Sequence, residues 1–383
     1  MGRILYAYLY AASICLIVLS TTAQASSINT SSGLNMPPGV TEISREVYSL
    51  HMTILWICVA IAVVVFGVMF YSLIVYRKSK GAKPAHFHEN TTVEIIWTAV
   101  PMVILVLMAV PATATLKKMY DTSDAELDVL VTGYQWRWRY EYLEEDVSFF
   151  SNLSTPREQI YEAEEKGDFY LVEVDEPMVV PTGVKVRLLL TANDVIHSWW
   201  VPDLAVKKDA IPGFINETWF RVDEPGIYRG QCAELCGRDH AFMPIEVKAV
   251  SPDEYQLWLA SRREAAEAEV AGADREWSLD ELMERGAGTY NTYCAACHQP
   301  QGQGLPPMFP ALAGVGMSVD PDGLRAHKEI VLYGKTGTAM PAFGSTLSAA
   351  ELAAVITYER NAWGNDTGDL IQPSAIRAML ESQ

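Results

Sequence analysis

Two long apolar runs constrain this chain more than any other feature. Residues 50–76 contain no Asp, Glu, Lys or Arg, and residues 93–116 carry only Glu94, at their edge. Each run reaches the roughly 20 residues that a helix needs to cross a bilayer. Lipid cannot satisfy an exposed backbone, so both runs must be helical, and Pro101 and Pro111 are tolerated in such a setting. Arg77, Lys78, Lys80 and Lys83 lie between the runs. Their excess places that loop in the cytoplasm, and Lys117 and Lys118 weaken the bias without reversing it. The chain opens Met1-Gly2-Arg3, continues apolar over residues 4–19, and then reads Ala23-Gln24-Ala25. That is a signal peptide, expected to be cleaved after Ala25, and it gives the same topology independently. A retained anchor is the alternative. A lipoprotein site at Cys15 is disfavoured by the bulky Ile14 before it.

The 383 residues leave room for two or three domains. The expected division is a signal peptide (1–25), an N-terminal segment with the membrane hairpin (26–120), a β domain (121–250), a helical linker (251–276) and a final α domain (277–383). In the β domain, short runs rich in β-formers alternate with Pro and Gly: Val129-Leu130-Val131, Trp136 to Tyr140, Tyr170-Leu171-Val172, Val184 to Leu190, Thr218 to Val222 and Gly226 to Arg229. This pattern reads as a Greek-key sandwich or barrel. Residues 251–270 are polar, Ala- and Glu-rich, and expected to be helical, with Ala271-Gly272-Ala273 as a hinge. The final domain opens with a capping box, Ser278 to Glu281, and a second stands at Ser348 to Glu351 before Leu352, Val355, Ile356 and Tyr358. Gly286 would permit a close helix crossing, with Tyr358 as the facing residue.

Within the β domain stands Cys232-Ala-Glu-Leu-Cys236-Gly-Arg-Asp-His240-Ala-Phe-Met243, with His197 upstream in Asn-Asp-Val-Ile-His197-Ser-Trp-Trp. Soft sulfur ligands with imidazole suit copper far better than magnesium or calcium, and a mononuclear blue-copper site uses a single Cys. Two thiolates can instead bridge two coppers with one His on each, which predicts a binuclear electron-transfer centre. A disulfide between Cys232 and Cys236 is the plain rival in an exported domain, but it needs neither His240 nor Met243. Zinc is the next rival, and structural zinc sites usually take Cys and His without Met. Farther along, Cys294-Ala-Ala-Cys297-His298 is the attachment pattern of a covalent c-type heme. A thioredoxin-like pair fits less well, because His298 adjoins it and no βαβ pattern surrounds it. Net charge is −18, with 47 acidic and 29 basic residues. That argues against nucleic acid and suits either a basic protein partner or simple solubility.

Taken together, these residues resemble subunit II of heme-copper cytochrome c oxidases, in the bacterial form with a cytochrome c domain fused at the C-terminus. The resemblance covers nearly the whole mature chain and rests on the paired membrane runs, Gly133-Tyr-Gln-Trp136-Arg-Trp138, His197-Ser-Trp, the Cys232-to-Met243 run and the heme motif, in the family's order. It implies a multi-domain fold: a two-helix transmembrane hairpin, a cupredoxin-like Greek-key β-barrel domain and an all-α cytochrome c domain. It implies the binuclear CuA centre, with Cys232 and Cys236 bridging, His197 and His240 each capping one copper, Met243 a weak axial ligand, and the Glu234 carbonyl on the other copper. The Glu234 side chain would contribute to a magnesium site shared with subunit I. Trp136 would be the point where electrons enter, and Glu94 would open a proton pathway into subunit I. Tyr134 and Trp138 are expected to pack.

For the heme, Cys294 and Cys297 would form thioethers and His298 would be the proximal iron ligand. Met340 is favoured over Met308 and Met317 as the sixth ligand for its long downstream spacing and Pro context. Pro310 or Pro307 could orient the His298 ring. His51, His86, His88 and His327 are read as interfacial or surface residues. The expected partners are oxidase subunits I and III, an external cytochrome c or similar donor, and the bacterial inner membrane, with both cofactor domains on the periplasmic side. A CuA-containing nitric oxide reductase subunit and a membrane-anchored electron carrier remain as rivals.

Overall fold

The computed structural model describes residues 35–83, 88–272, 275–338, 340–344 and 346–382. The expected signal peptide, Cys15, His86 and Ala273 lie outside the described residues. The chain divides into two compact units, one up to Leu257 and one from Trp258.

Helices α1 (Glu42–Val75) and α2 (Thr91–Met119) contain the two apolar runs. Both are long and apolar enough to cross a membrane, and their apolar stretches are exposed in the chain itself. They extend past the runs, so their outer ends can engage the β domain. The first turn of α1 is closed by a Thr41–Ser44 capping box. Thr41 Oγ1 donates to the carbonyl of Leu204 at 3.2 Å, and the Val40 amide donates to that of Asp203 at 3.0 Å. Gly39 has φ +70°, and a Cβ there would stand 2.3 Å from the Ser44 side chain and 2.7 Å from the Asp203 carbonyl oxygen. Only glycine lets the chain turn so tightly against that carbonyl. At its own outer end α2 pairs Lys118 with Glu46 of α1, and the Lys118 carbonyl accepts from Trp219 Nε1 at 2.9 Å.

The β domain is two five-stranded sheets. One runs β3 (Val147–Ser151), β2 (Arg137–Tyr142), β1 (Leu127–Tyr134), β5 (Val186–Ala192), β8 (Asn216–Phe220). The other runs β4 (Met178–Pro181), β10 (Pro244–Val250), β9 (Gly226–Cys232), β6 (His197–Val201), β7 (Val206–Ala210). β1–β5 and β4–β10 are parallel pairs, and the remaining neighbours are antiparallel. Burial alternates residue by residue along β1 and β5, as a two-residue pleat requires. Val129, Val131, Leu188, Leu190, Ile245, Val247, Tyr140 and Trp199 are buried in the core. A one-turn helix α3 (Arg157–Ile160) lies between β3 and β4.

Two expected strand segments are corrected. Trp136 belongs to the β1–β2 turn, and β2 starts at Arg137. Tyr170-Leu171-Val172 forms no strand: Tyr170 and Leu171 form a turn, with φ +62° at Leu171, a left-handed conformation incompatible with a strand. Helix α4 (Pro252–Gly272) runs on through Ala271 and Gly272, the first two residues of the expected hinge.

In the second unit, α5 (Leu279–Tyr293) and α8 (Ala349–Asn361) are the terminal helices expected from the two capping boxes, and both boxes are formed. At Gly286 a Cβ would stand 2.2 Å from the Ala354 carbonyl oxygen and 2.6 Å from Tyr358 Cβ. The helices cross in direct backbone contact there. Leu282 and Tyr290 of α5 and Leu352, Val355 and Ile356 of α8 fill the core. The short helix α6 (Ala295–His298), α7 (Leu324–Tyr333) and α9 (Pro373–Glu381) complete the unit.

Candidate metal centre and heme attachment site

Three chain segments bring the sulfur and imidazole groups together. His197 opens β6, Cys232 closes β9, and the loop into β10 carries Cys236, His240 and Met243. Adjacent antiparallel strands put Cys232 beside Trp199. The Ala233 amide bonds to the Ser198 carbonyl at 2.9 Å and holds the loop start against β6.

His197, Cys232 and Cys236 are buried with their ligand atoms within 4.8 Å of one another. The two Sγ atoms are 3.8 Å apart, and both cysteines are free. His197 Nδ1 lies 4.0 Å from Cys232 Sγ, and His240 Nδ1 lies 3.4 Å from Cys236 Sγ. Met243 Sδ is 3.5 Å from Cys236 Sγ, and the Glu234 carbonyl oxygen is 3.3 Å from Cys232 Sγ. Each of the other four expected donors thus lies within 4.0 Å of one of the two thiols, and His240 stands outside the tight group formed by His197 and the cysteines. The Glu234 side chain is exposed, so its carbonyl and carboxylate face different surroundings. The hydrogen bond between the two thiols, against the opposing effect of burial and with help from His197, holds Cys232 well below the ordinary thiol range, while the same bond and burial push Cys236 up, so the pair favours a single thiolate. Burial opposes protonation of His197, but the Asp194 carboxylate and Cys232 outweigh it and leave its pKa above the ordinary value. A thiol that ionises readily beside convergent imidazole and thioether groups is the donor chemistry a soft metal takes.

Surrounding groups fix these donors. His197 Nε2 is 2.8 Å from Asp194 Oδ1, which turns Nδ1 toward the thiols. The other Asp194 oxygen accepts the Gln135 amide at 2.8 Å. Gly133 lets β1 approach: a Cβ there would sit 2.7 Å from His197 Cδ2. The Cys236 carbonyl accepts both Gln135 Nε2, at 2.7 Å, and Trp136 Nε1, at 3.1 Å. Trp136 is half-buried. Trp138 is fully buried, as expected of a packing residue. It also donates from Nε1 to the Met243 carbonyl at 3.3 Å and stands edge-on to the His197 ring. Asp194 and Gln135 escaped the sequence reading. The signal was present, since each lies within three residues of a singled-out position, but their partners are remote in sequence.

In the second unit, Cys294 is buried, Cys297 half-buried, and His298 closes α6 nine-tenths buried. His298 Nδ1 lies 2.8 Å from the Pro310 carbonyl oxygen. A carbonyl only accepts, so Nδ1 carries the proton and Nε2 is left for a metal. Pro310, not Pro307, therefore orients the ring. Met340 packs against the domain core, Met308 is exposed, and the Met317 carbonyl is tied to Arg360. These arrangements fit a covalent heme.

Glu94 stands in the first turn of α2, exposed, with Oε1 accepting the Asn90 amide at 3.3 Å. His88 is exposed, and His51 is half-buried against Asn35 at 2.8 Å. His327 is a correction: it is 3% exposed, not a surface residue, and pairs with Glu359 at 2.7 Å. Its helix is amphipathic and His327 falls on the inward face, where a carboxylate from α8 supplies the partner its burial requires.

Comparison with known proteins matches three segments of the chain. The family profile described as the transmembrane domain of cytochrome c oxidase subunit II matches residues 29–114, and that of the periplasmic domain matches residues 127–250. The profile of the cbb3-type cytochrome c oxidase subunit III matches residues 281–358. Cytochrome c oxidase subunit 2 of Cereibacter sphaeroides is 38% identical over 244 residues, which are 60% of this chain and 80% of that protein. Its counterpart in Metridium senile is 41% identical over 221 residues, 57% of this chain and 86% of the relative. The crystal structure of the periplasmic domain of subunit II (CoxB) of Bradyrhizobium japonicum, 38% identical, covers 38% of this chain and 98% of its own, with a TM-score of 0.34. Copper and heme c are the cofactors this combination of domains implies. The apolar helices and the matched transmembrane domain make the protein membrane-anchored. Catalysis in a cytochrome c oxidase lies in another subunit, and the chain belongs to the cytochrome c oxidase subunit II family, with a cytochrome c domain following its periplasmic domain.

Proposed function

We propose that this chain is where electrons enter a terminal respiratory oxidase. They would come from an external donor, a cytochrome c or a protein like it, by way of covalent heme c, Trp136 and a binuclear copper centre. They would leave for the heme-copper oxygen-reducing site of subunit I, in a complex that also translocates protons. The observation that carries the reading is the bond from Trp136 Nε1 to the Cys236 carbonyl. A half-buried aromatic ring is thereby joined, through one residue, to a buried thiol.

When bound, the copper pair and heme c supply one-electron redox couples, and the side chains position them and keep them dry. Cys232, Cys236, His197, His240, Met243 and the Glu234 carbonyl would hold the coppers. Small rearrangement is what electron transfer needs, and the bonds at Asp194, Gln135 and Trp138 hold the donors still. Cys294 and Cys297 would attach the heme, His298 and Met340 would hold its iron, and a Met ligand raises the heme potential.

The exposed Glu234 carboxylate is free to join a magnesium ion shared with subunit I. Glu94, at the cytoplasmic end of α2, would deliver protons toward subunit I, as an ionisable group at a membrane edge often does. Subunits I and III would cover the exposed apolar faces of α1 and α2. The proposed location is the bacterial inner membrane, with both cofactor domains on the periplasmic side and the signal peptide removed after Ala25.

Metal and heme analysis of the full chain, with electron paramagnetic resonance of its oxidised form, tests this reading. Two coppers per covalent heme, sharing one unpaired electron, are expected. One copper, zinc, or a Cys232–Cys236 disulfide would overturn the copper assignment and leave a membrane-tethered cytochrome.

A further inference from the structure

The last turn of α2 meets the β domain where the membrane run ends, and it gathers two lysines that no carboxylate answers. The apolar run closes at Leu116, and Lys117, Lys118 and Tyr120 follow, with Tyr120 as the C-cap still in helical conformation. Lys118 is engaged: it pairs with Glu46 and Glu42 of α1, and its carbonyl accepts Trp219 Nε1 at 2.9 Å. That bond fixes the end of α2 against β8. Lys117, beside it, is exposed and forms no ion pair among the described residues. Lys208 reaches the same place from β7. Its Nζ lies 4.8 Å from the centre of the Tyr120 ring, and it too forms no ion pair among the described residues. In a chain with 47 acidic and 29 basic residues, carboxylates are plentiful. Two unanswered lysines around one ring therefore suit an anion from outside the chain.

The surroundings say what kind of anion. Tyr120 follows Lys117 by three residues and Leu116 by four, so ring, amine and apolar side chain share one face of α2. The same face continues through Thr113 and Val110 to Val106. Tyr120 is 66% exposed, and Leu116, Val110 and Val106 are 51%, 69% and 62% exposed. Tyrosine rings settle at the headgroup level of a bilayer, and lysine stems extend to reach it. Below that level the face stays apolar from Leu116 to Val106, roughly 15 Å at the helical rise. Asp121 does not compete for the lysines, since its carboxylate is turned to the Ser123 amide and hydroxyl. Asp209 and Lys207 fall on the opposite side of β7 from Lys208, because side chains alternate along a strand.

We infer that Lys117, Lys208 and Tyr120 form a binding site for the phosphate of an anionic phospholipid in the leaflet on the β-domain side, with an acyl chain laid along Leu116, Val110 and Val106. The two amines and the Tyr120 hydroxyl donate to phosphate oxygens, and bonds between charged partners are the strong ones. Lys117 belongs to α2 and Lys208 to β7, so one lipid joins the membrane helix to the β domain and reinforces the tie made by Trp219.

Native mass spectrometry of the full chain in detergent, titrated with phosphatidylglycerol or phosphatidylcholine, tests the site. Phosphatidylglycerol should stay bound under activation that strips phosphatidylcholine. The double variant Lys117→Gln/Lys208→Gln should bind the anionic lipid on the order of 30-fold more weakly, about fivefold for each lysine lost near a membrane surface. Lys207→Gln removes the same charge from the other side of β7 and should leave binding unchanged. Unaltered thermal unfolding of both variants shows that the fold is intact. Equal retention of the two lipids would overturn the proposal, as would native-like binding by the double variant or an equal loss in Lys207→Gln. Displacement of the lipid by inorganic phosphate at the same concentration would also overturn it, since the acyl chain would then count for nothing. The same comparison on the assembled oxidase completes the test: a complex that keeps no more anionic lipid with the native chain than with the double variant would mean that partner subunits cover the lysines, and the lipid assignment would fall.

Discussion

His197 Nε2 rests 2.8 Å from Asp194 Oδ1, three residues earlier in the chain, and this contact turns the other ring nitrogen toward Cys232. Asp194 also accepts the amides of Gln135 and Val195, so it is held from two sides. Asp194→Ala should free the His197 ring and weaken copper retention by about 10–100-fold, the usual cost of losing such a partner. Competition with a copper chelator, followed by the visible absorption of the full chain, measures this. Retention equal to that of the native chain would show that the ring needs no such support.

Trp136→Phe separates conduction from structure. The substitution removes the bond to the Cys236 carbonyl, which keeps its 2.7 Å bond from Gln135 Nε2. Stability should change by no more than about 1 kcal/mol, the net worth of one hydrogen bond, with copper content unchanged. Electron delivery to the copper centre should slow, as flash-initiated electron transfer reports. An unaltered rate would remove Trp136 from the route.

The donor set of the metal centre was legible because its ligands are chemically rare residues at short fixed offsets, with His197 marked by a polar break in a strand-like region. What holds the ligands was not. Asp194 and Gln135 are common polar residues whose roles come from tertiary bonds spanning 59–101 residues, apart from the local contact to His197. Trp136 read as strand because β-branched and aromatic enrichment does not distinguish a strand from the turn that ends it. His327 read as surface because sequence shows no partner at close range, and its carboxylate lies 32 residues away on another helix. Capping boxes fared best, since both of their partners lie within four residues.

Gly286→Ala tests the helix crossing. The added methyl would stand 2.2 Å from the Ala354 carbonyl oxygen, where backbone leaves no room for a rotamer change. The cytochrome domain should lose about 1–3 kcal/mol or more, the range for overpacking a core. Thermal unfolding of the full chain, read through heme absorption, should show an earlier loss of the heme signal, while the copper signal melts as in the native protein. Gly288, where a Cβ meets nothing within 4 Å, is the control position.

Met340→Leu should change the heme without unfolding its domain. The backbone at this position is fixed independently of the thioether: the Met340 carbonyl accepts the Lys335 amide at 3.1 Å, and Gly334 at φ +71° admits the neighbouring chain. Loss of the sulfur should lower the heme potential and alter its axial-ligand spectrum. Redox titration of the full chain decides it, and an unchanged spectrum would transfer the ligand role to Met317 or Met308.

Asp203 should make the join between α1 and the β domain sensitive to pH. It lies in the turn Pro202–Leu204, is 4% exposed, and its Oδ2 has no hydrogen-bond partner among the described residues. Burial pushes its pKa up to about 6 from an ordinary 3.8. Below about pH 4 the carboxyl is protonated in both folded and unfolded chains and has no effect on stability. Between 4 and 6 the folded chain binds the proton more tightly, so stability falls as pH rises through that window, and the full penalty persists above it. A shift of this size corresponds to a penalty on the order of 3 kcal/mol. Asp203→Asn should therefore raise the melting temperature of the full chain at pH 7.5 and leave it nearly unchanged at pH 4. Thermal unfolding at the two pH values, followed through the absorption of the copper site at the higher and tryptophan fluorescence at both, reads this difference. Equal effects at both pH values would show that the side chain contributes through shape alone.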